Sequence, residues 1–400
     1  MLPPLPGRWC FVVNTMLVGA GSVGEVIARH LVGDSRISLS LLDLDEARLR
    51  VLRRRLGGRK ISTYTADIAK ASEFEEIVKG HELLVNAATP RLNKFLMDIC
   101  LKHGLNYIDL ASDDLRQQLS QHTRWRRKGL KALICLGEDP GLSNIYVKLA
   151  AGRLKNIVAV KVRDGEFSKS RKYDIAPLFS PQVFFGELLN PAYVYVNGRY
   201  RRMPPLSGRE IYEFPEPVGK QTVYSMSHEE VFTLPRYFKS LKYVDFKLNL
   251  SEEFVHSVKL LKKLGILSSR RVRVRGVRVS PRDVFLTLLP KPYDVAGKVE
   301  GYAALAVEAV GREGGVRKEL TLFTYMGHEE AYSLFRTNAT AYLTGTVPAV
   351  VASMVARNMV EESGVLTPEM LEPEPIVKLL SEKHVKSFVK TAEEGVLPLS

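Results

Sequence analysis

The chain of 400 residues is 45% hydrophobic and 26% charged, with 58 Lys+Arg against 44 Asp+Glu and a formal net charge of +14. This composition excludes disorder and low-complexity character, and the length points to two or three domains with a core that needs no disulfide staples. The positive balance is scattered in short runs (Arg53 to Arg55, Arg124 to Lys128, Arg270 to Arg275) with no RRM, KH, zinc-finger or basic-zipper signature, so it reads as solvated faces and an affinity for small anions, not for nucleic acid.

Met1 to Arg8 carries prolines where a signal peptide needs an apolar helix, and reads as an extension before the first strand, with Met16 an alternative start. No apolar run approaches the ~20 residues that span a bilayer. The expectation is a cytoplasmic protein without membrane contact. Met16 to Val18 leads into Gly19-Ala-Gly-Ser-Val-Gly24, a helix runs to about Leu31 with Gly33 as a left-handed stop, and Ile37 to Leu42 forms a second strand ending at Asp43. Arg48 to Leu56 is helical, Ile61 to Tyr64 is a third strand ending near Asp67, and Leu83 to Asn86 is a fourth. Leu92 to His103 repeats apolar residues at helical spacing up to Gly104, and Tyr107 to Leu110 and Ala132 to Leu136 add two strands. Alternating strands and helices over residues 10–145 predict an α/β fold with a doubly wound parallel sheet.

Beyond about Ala150 the rhythm changes to a mixed α+β domain over residues 146–327. Tyr193 to Tyr200 is a hairpin around Asn197-Gly198, Ser257 to Leu264 is helical, and Val299 to Val310 pairs with Val316 to Tyr325 across Gly314-Gly315. Residues 328–400 return to helices: Ala331 to Phe335, Ala349 to Met359 after Pro348, and Ile376 to Val389. Cys10, Cys100 and Cys135 lie far apart in apolar runs and read as buried thiols in a reducing compartment. No Cys/His cluster has zinc-ligand spacing, so no metal is expected.

The glycine loop carries the chemistry. Gly19 permits the turn out of the strand, Gly21 lets the backbone approach a pyrophosphate, and Gly24 lets the helix pack on the sheet, while the amides of Ser22 and Val23 open the helix toward the phosphates. Asp43, at the end of the next strand, is placed to hold a ribose diol and to repel a 2′-phosphate, which favours NAD over NADP, although Arg48 could temper the repulsion. Asp45 reads as a helix-start residue. Asp67 either meets the adenine or caps a helix. Ala88, Thr89 and Pro90 leave room for cofactor at the sheet edge, or make a plain strand-to-helix turn. Asp109 to Asp114 and Gly137 to Gly141 put carboxylates on the same edge, where they can move protons. Ser112, Asp113 and Glu138 are candidate substrate contacts and Asp139 a candidate catalytic group, with helix capping and turn formation the alternatives for Ser112, Asp113 and Asp139. In the second half, His228 is a candidate acid/base and Arg236 a candidate carboxylate clamp, against a structural histidine and a surface ion pair.

Taken in order, Gly19 to Gly24, Val85 to Pro90, Tyr107 to Ser112, Gly137 to Asn144, Asn190-Pro191, Glu213 to Gly219, Thr233 to Pro235 and Thr344-Gly345 resemble the saccharopine dehydrogenase family, including its lysine 6-dehydrogenase branch. The resemblance implies a Rossmann domain completed by C-terminal helices, an inserted α+β domain, a homodimer, and an NAD-dependent enzyme that oxidises or forms a C–N bond on a small amino-acid-like amine. It places Asp139-Pro140-Gly141 near the substrate. Saccharopine cleavage is the first expected reaction, followed by lysine 6-dehydrogenation and carboxyspermidine-type reduction. A non-catalytic dinucleotide sensor is the rival of another class.

Overall fold

The computed structural model describes residues 12–57, 61–391 and 395–399, so Cys10 and the N-terminal extension lie outside the described residues. Six strands, β1 (Val13–Val18), β2 (Ile37–Asp43), β3 (Ser62–Thr65), β4 (Leu83–Asn86), β5 (Asn106–Asp109) and β6 (Lys131–Leu133), are parallel. A seventh, Gly364–Leu366, joins beside β6 and gives the order 364–366, β6, β5, β4, β1, β2, β3. Strand order reverses between β1 and β4, and at such a switch point the carboxyl ends of the strands open a crevice. The strands facing it are largely apolar, as burial on both faces requires: Leu83, Leu84 and Val85 of β4 have no exposed surface.

A second sheet is mixed. From one edge it runs Arg199–Met203, Ala192–Val196, Tyr243–Asn249, β7 (Lys155–Asp164), Val299–Glu313, Val316–Gly327, Ser387–Thr391 and Gly395–Leu399. Tyr243–Asn249 lies parallel to β7, so their carboxyl ends, with Asp164 and Leu248, share one edge. The Asn197-Gly198 hairpin and the pairing across Gly314-Gly315 form as the turn residues predict; both Asn197 and Gly198 have positive φ, which the tight turn requires.

Helix Ala339–Ala356 joins the two sheets. Among the described residues it alone is long and apolar enough to cross a membrane, but 89% of it is buried inside the fold. It crosses α1 (Ser22–Val32) so closely that a Cβ on Gly345 would stand 2.8 Å from Val26 Cβ and 2.9 Å from the Val23 carbonyl oxygen.

Several local expectations are corrected. Gly33 ends α1 in right-handed geometry (φ −76°), because the chain turns through Asp34 instead of reversing at the glycine. Pro348 lies inside its helix rather than before it. The proline removes one amide donor, leaving the carbonyl of Thr344, four residues earlier, without its helical partner, and burial on all sides holds the helix together. The segment from Ile376 to Val389 is not one helix: Pro373–Ser381 is helical, His384 turns with φ 64°, and Ser387–Thr391 is a strand. The C-terminal segment thus contributes strands to both sheets as well as helices.

Candidate active site

The Gly19–Gly24 loop leaves β1 and enters α1. Gly19 has φ +102°, and a Cβ there would lie 2.8–2.9 Å from the backbone of Ala87 and Ala88, at the end of β4. A Cβ on Gly24 would stand 2.0 Å from the Gly19 carbonyl oxygen, so this turn closes only with hydrogen at both positions. Gly21 differs: nothing lies within 4 Å of where its Cβ would be. That open space faces a cavity of about 330 Å³, lined by Gly21, Ser22 and Val23 on one side and by Asn86 to Pro90 on another. Ser22 Oγ is buried and has no hydrogen-bond partner among the described residues. A pyrophosphate fits here, taking the free amides at the start of α1, the space beside Gly21 and the orphaned hydroxyl.

At the end of β2, Asp43 Oδ2 accepts from Ala20 N (2.6 Å) and Oδ1 from Asp45 N (2.9 Å), which locks the carboxylate against the glycine loop. Arg48 is drawn inward: Nε donates to the Ala20 carbonyl (2.6 Å), Nη2 to Glu25 (2.6 Å), and the guanidinium lies 4.5 Å from the Tyr293 ring centroid. Asp45 caps the following helix through Arg48 N, as read from the sequence. Asp67 is exposed and accepts from Ala69 N (2.9 Å), so it makes a local turn ahead of the helix, whose N-terminal cap position is Lys70.

Across the cavity from the glycine loop stand Asp139, Asp164, Glu166 and Glu187, with His228 and the Phe246 ring. They arrive from five elements: the Gly137–Gly141 loop, the end of β7 and the turn after it, helix Pro181–Leu189, the segment before helix Glu230–Tyr237, and strand Tyr243–Asn249. Burial pushes Asp164 up to about 7 and Glu187 up to about 8 despite the opposing charge of His228. Asp139 and Glu166 are raised by burial and then by Asp164. Asp139 Oδ2 has no hydrogen-bond partner. Such carboxyls hold protons near neutrality, the range that proton transfer needs.

His228 stacks flat on Phe246 (centroids 3.8 Å, planes 6° apart), and its Nδ1 lies 2.7 Å from Glu230 Oε2. Burial alone would strip its proton, but the Glu230 charge and hydrogen bond prevail and raise it to about 10. Ser143 Oγ donates to the other Glu230 oxygen (2.7 Å), while Asn144 Nδ2 donates to Thr233 Oγ1 (2.9 Å) and to Glu369 (3.1 Å). The Gly137–Asn144 stretch therefore anchors the imidazolium from behind. Glu229 Oε1 accepts from Ser112 N (2.6 Å) and ties the second domain to the loop after β5. The ligand-type atoms of His228, Glu229 and Glu230 lie within 4.8 Å of one another, close enough to share a metal ion, but each already has these partners. Under the loop, Asp109 accepts from Cys135 N (2.8 Å) and Gln118 Nε2 (2.6 Å), and burial raises it to about 7.

The residues singled out in the sequence divide. Gly21, Ser22, Val23, Ala88, Thr89, Pro90, Asp139 and His228 line one cavity. Ser112, Asp113 and Arg236 line instead an adjoining open cleft, which shares Thr89, Pro90, Val183, Glu187 and His228 with the cavity. Glu138 is buried behind the wall and reaches neither space. Asp113 does not cap the next helix; Asp114 does, accepting from Gln117 N. Asp139 caps nothing, since Gly141 precedes helix Leu142–Arg153. Asp164, Glu166, Glu187 and Glu230 were not anticipated. Asp164 ends a strand, a position that could have been noticed; the others carry no local signature.

Comparison with known proteins accounts for this arrangement. The saccharopine dehydrogenase NADP binding domain model matches residues 15–133, and the saccharopine dehydrogenase C-terminal domain model matches residues 137–385. The chain belongs to the saccharopine dehydrogenase family. As a member it is an NAD(P)-dependent oxidoreductase acting on a C–N bond, and it carries the family's Rossmann sheet with a mixed second sheet. Over 386 residues it is 23% identical to carboxyaminopropylagmatine dehydrogenase of Synechocystis, covering 93% of this chain and 96% of that protein. It is 25% identical over 398 residues to carboxynorspermidine synthase of Vibrio cholerae, covering 92% and 94%. Among solved structures, apo saccharopine dehydrogenase (L-Glu forming) from Saccharomyces cerevisiae shares the fold with a TM-score of 0.72 at 14% identity, covering 95% of this chain and all of that one. A homospermidine synthase from Legionella pneumophila in complex with NAD gives 0.70 at 13%, covering 96% and 92%.

Proposed function

We propose that this saccharopine dehydrogenase family member forms or cleaves the secondary amine of a carboxylated polyamine, the carboxyspermidine-type reaction. The observation that carries the reading is the wall of Asp139, Asp164, Glu166 and Glu187 in one cavity beside Gly21 to Val23. A di- or polyamine brings several ammonium groups, and a set of carboxylates is what neutralises them. Saccharopine, rich in carboxylates, would be repelled by the same wall. The names of the two curated relatives, a carboxyaminopropylagmatine dehydrogenase and a carboxynorspermidine synthase, support the same substrate class.

Gly19, Gly21, Ser22, Val23, Gly24 and Asp43, with Ala88 to Pro90, would hold the dinucleotide, whose nicotinamide supplies hydride exchange at the carbon bearing the amine. Glu166 and Glu187 hold the ammonium groups, and the Asp139/Asp164 pair moves protons. In the cleaving direction the substrate loses a C–H hydride and an N–H proton, the proton passing to this pair. Water then adds to the C=N bond, and the C–N bond breaks to an aldehyde and a free amine. In the forming direction the pair returns the proton to nitrogen. The His228 imidazolium, kept charged by Glu230, limits repulsion among the carboxylates and orients them.

NAD is the preferred coenzyme in this reading, because the Asp43 carboxylate stands at the end of β2 while Arg48, the nearby cation, is engaged by Glu25 and the Ala20 carbonyl. Asp43→Ala then relaxes discrimination against NADP by roughly tenfold, read as the ratio of kcat/KM for the two coenzymes. The substrate reading is tested by following coenzyme reduction with carboxynorspermidine, carboxyaminopropylagmatine, saccharopine and lysine. Turnover of a carboxylated polyamine at least roughly a hundredfold above saccharopine is expected. Preference for saccharopine overturns the substrate class. Coenzyme binding without turnover of any amine leaves the dinucleotide sensor.

A further inference from the structure

We infer that Arg91 and Arg282, facing each other across the open cleft, form the subsite for the carboxylate of the amino-acid half of the substrate. This rests on the reading of the site as one for a carboxylated polyamine. Acids line the cavity, and its one cationic lining residue, His228, is already paired with Glu230. The cleft beside it shares Thr89, Pro90, Val183, Glu187 and His228 with the cavity, so a molecule reacting in one extends naturally into the other.

The two arginines come from opposite sides. Arg91 follows Pro90 at the end of β4's connection, in the short turn Pro90–Leu92, and is exposed. Arg282 opens helix Pro281–Leu288 of the second domain and is half-buried. Its Nη2 donates to the Gln182 carbonyl (3.1 Å), which lays the guanidinium along helix Pro181–Leu189. Gly186 lies beside the guanidinium: a Cβ there would stand in contact with Arg282 Nη2, at 3.4 Å. Arg282 Nε is buried without a hydrogen-bond partner among the described residues. Burial, and then the facing Arg91 charge, hold the Arg282 guanidinium below its usual value, with only Asp283 opposing.

Two guanidiniums lining one cleft, neither in an ion pair among the described residues, are an arrangement that an anion completes. Of the acids lining the cleft, Asp114 accepts from Gln117 N, Glu229 accepts from Ser112 N, and Glu187 belongs also to the cavity wall, which leaves exposed Asp113 as the acid there without a hydrogen bond among the described residues. Arg236, the clamp expected from the sequence, sits exposed in the same cleft, and Tyr200 is the group that feels its charge. A planar carboxylate bridging Arg91 and Arg282 would also draw the two domains together over the reacting carbon.

The test compares carboxynorspermidine with norspermidine, which differs by the carboxylate alone, in the full-length wild type, Arg91→Gln, Arg282→Gln and Arg282→Lys. Wild type is expected to favour the carboxylated amine, and each Gln variant to lose roughly 30-fold of that preference while the rate with norspermidine and the coenzyme Kd stay unchanged. Arg282→Lys recovers part of the loss. An unchanged preference in both Gln variants, in protein that turns over carboxynorspermidine, overturns the subsite and leaves the substrate class standing. Equal loss with both amines assigns Arg282 to support of the fold and also overturns it. A wild type that ignores carboxynorspermidine removes the substrate class, and the subsite with it.

Discussion

The glycine-loop half and the carboxylate half of the cavity are made of different materials. One is a turn of glycines, a hydroxyl and backbone amides, all within residues 19–24 and 86–90, with no charged side chain on the wall. The other is a set of ionisable side chains spread from Asp139 to His228, each half-buried or buried. A phosphate is bound by dipoles that are already aligned, so backbone suffices. A polyammonium needs full opposite charges, which are costly to enclose unless each is protonated, paired or hydrogen-bonded. This accounts for the raised carboxyls and for the His228–Glu230 pair.

The largest effect expected from this contrast is chemical. Asp139→Asn should lower kcat about 10²- to 10⁴-fold, with coenzyme affinity unchanged in fluorescence titration; a parallel loss of both would merge the two halves. Next is Glu230→Gln, which leaves a buried imidazolium without its counter-charge. It should cost about 3–5 kcal/mol by chemical denaturation, and the His228 titration, seen by NMR, should fall from about 10. A third pair separates packing from binding within the glycine loop. Gly24→Ala, forced against the Gly19 carbonyl, should destabilise by about 3 kcal/mol. Gly21→Ala, which projects into open space, should leave stability within about 0.5 kcal/mol and weaken only the coenzyme.

The smallest effect is a slope with pH. Asp164 and Glu187 are raised to about 7 and about 8, so between the ordinary carboxylate range and pH 8 the folded protein holds more protons than the unfolded chain. Their contribution to stability is therefore present at the acid end and lost as pH rises through those values. The His228 contribution has the same sign: full below its ordinary value and lost as pH rises through about 10. Amine binding runs the opposite way, strengthening from pH 6 to 8 with proton release, by about one order of magnitude through Asp164 and between one and two through Glu187. Calorimetry in buffers of different ionisation enthalpy measures it, and affinity that is flat with pH would mean the carboxylates do not meet the amine.

The parallel sheet was legible because its strands and turns declare themselves locally: each strand ends in its own turn, and the glycine loop occupies six consecutive residues. The two hairpins were legible for the same reason. The C-terminal region was less so. Pro348 signals a helix start only when its neighbours are exposed, and here burial on all sides carries the helix through it. Ser387 to Thr391 was read at helical period although its inward residues alternate. In the site, Asp139 and His228 could be singled out by their motifs, whereas Glu166, Glu187 and Glu230 look like surface acids until the chain is folded.

By itself, then, the order of residues determined the sheet, the dinucleotide turn and the family, since these depend on short-range geometry and on motifs in sequence. Only the tertiary structure decided which carboxylates line the cavity, that His228 is paired with Glu230, and that Arg91 and Arg282 share a cleft. Charge interactions act through space between elements far apart in the chain, and no spacing along the sequence records them.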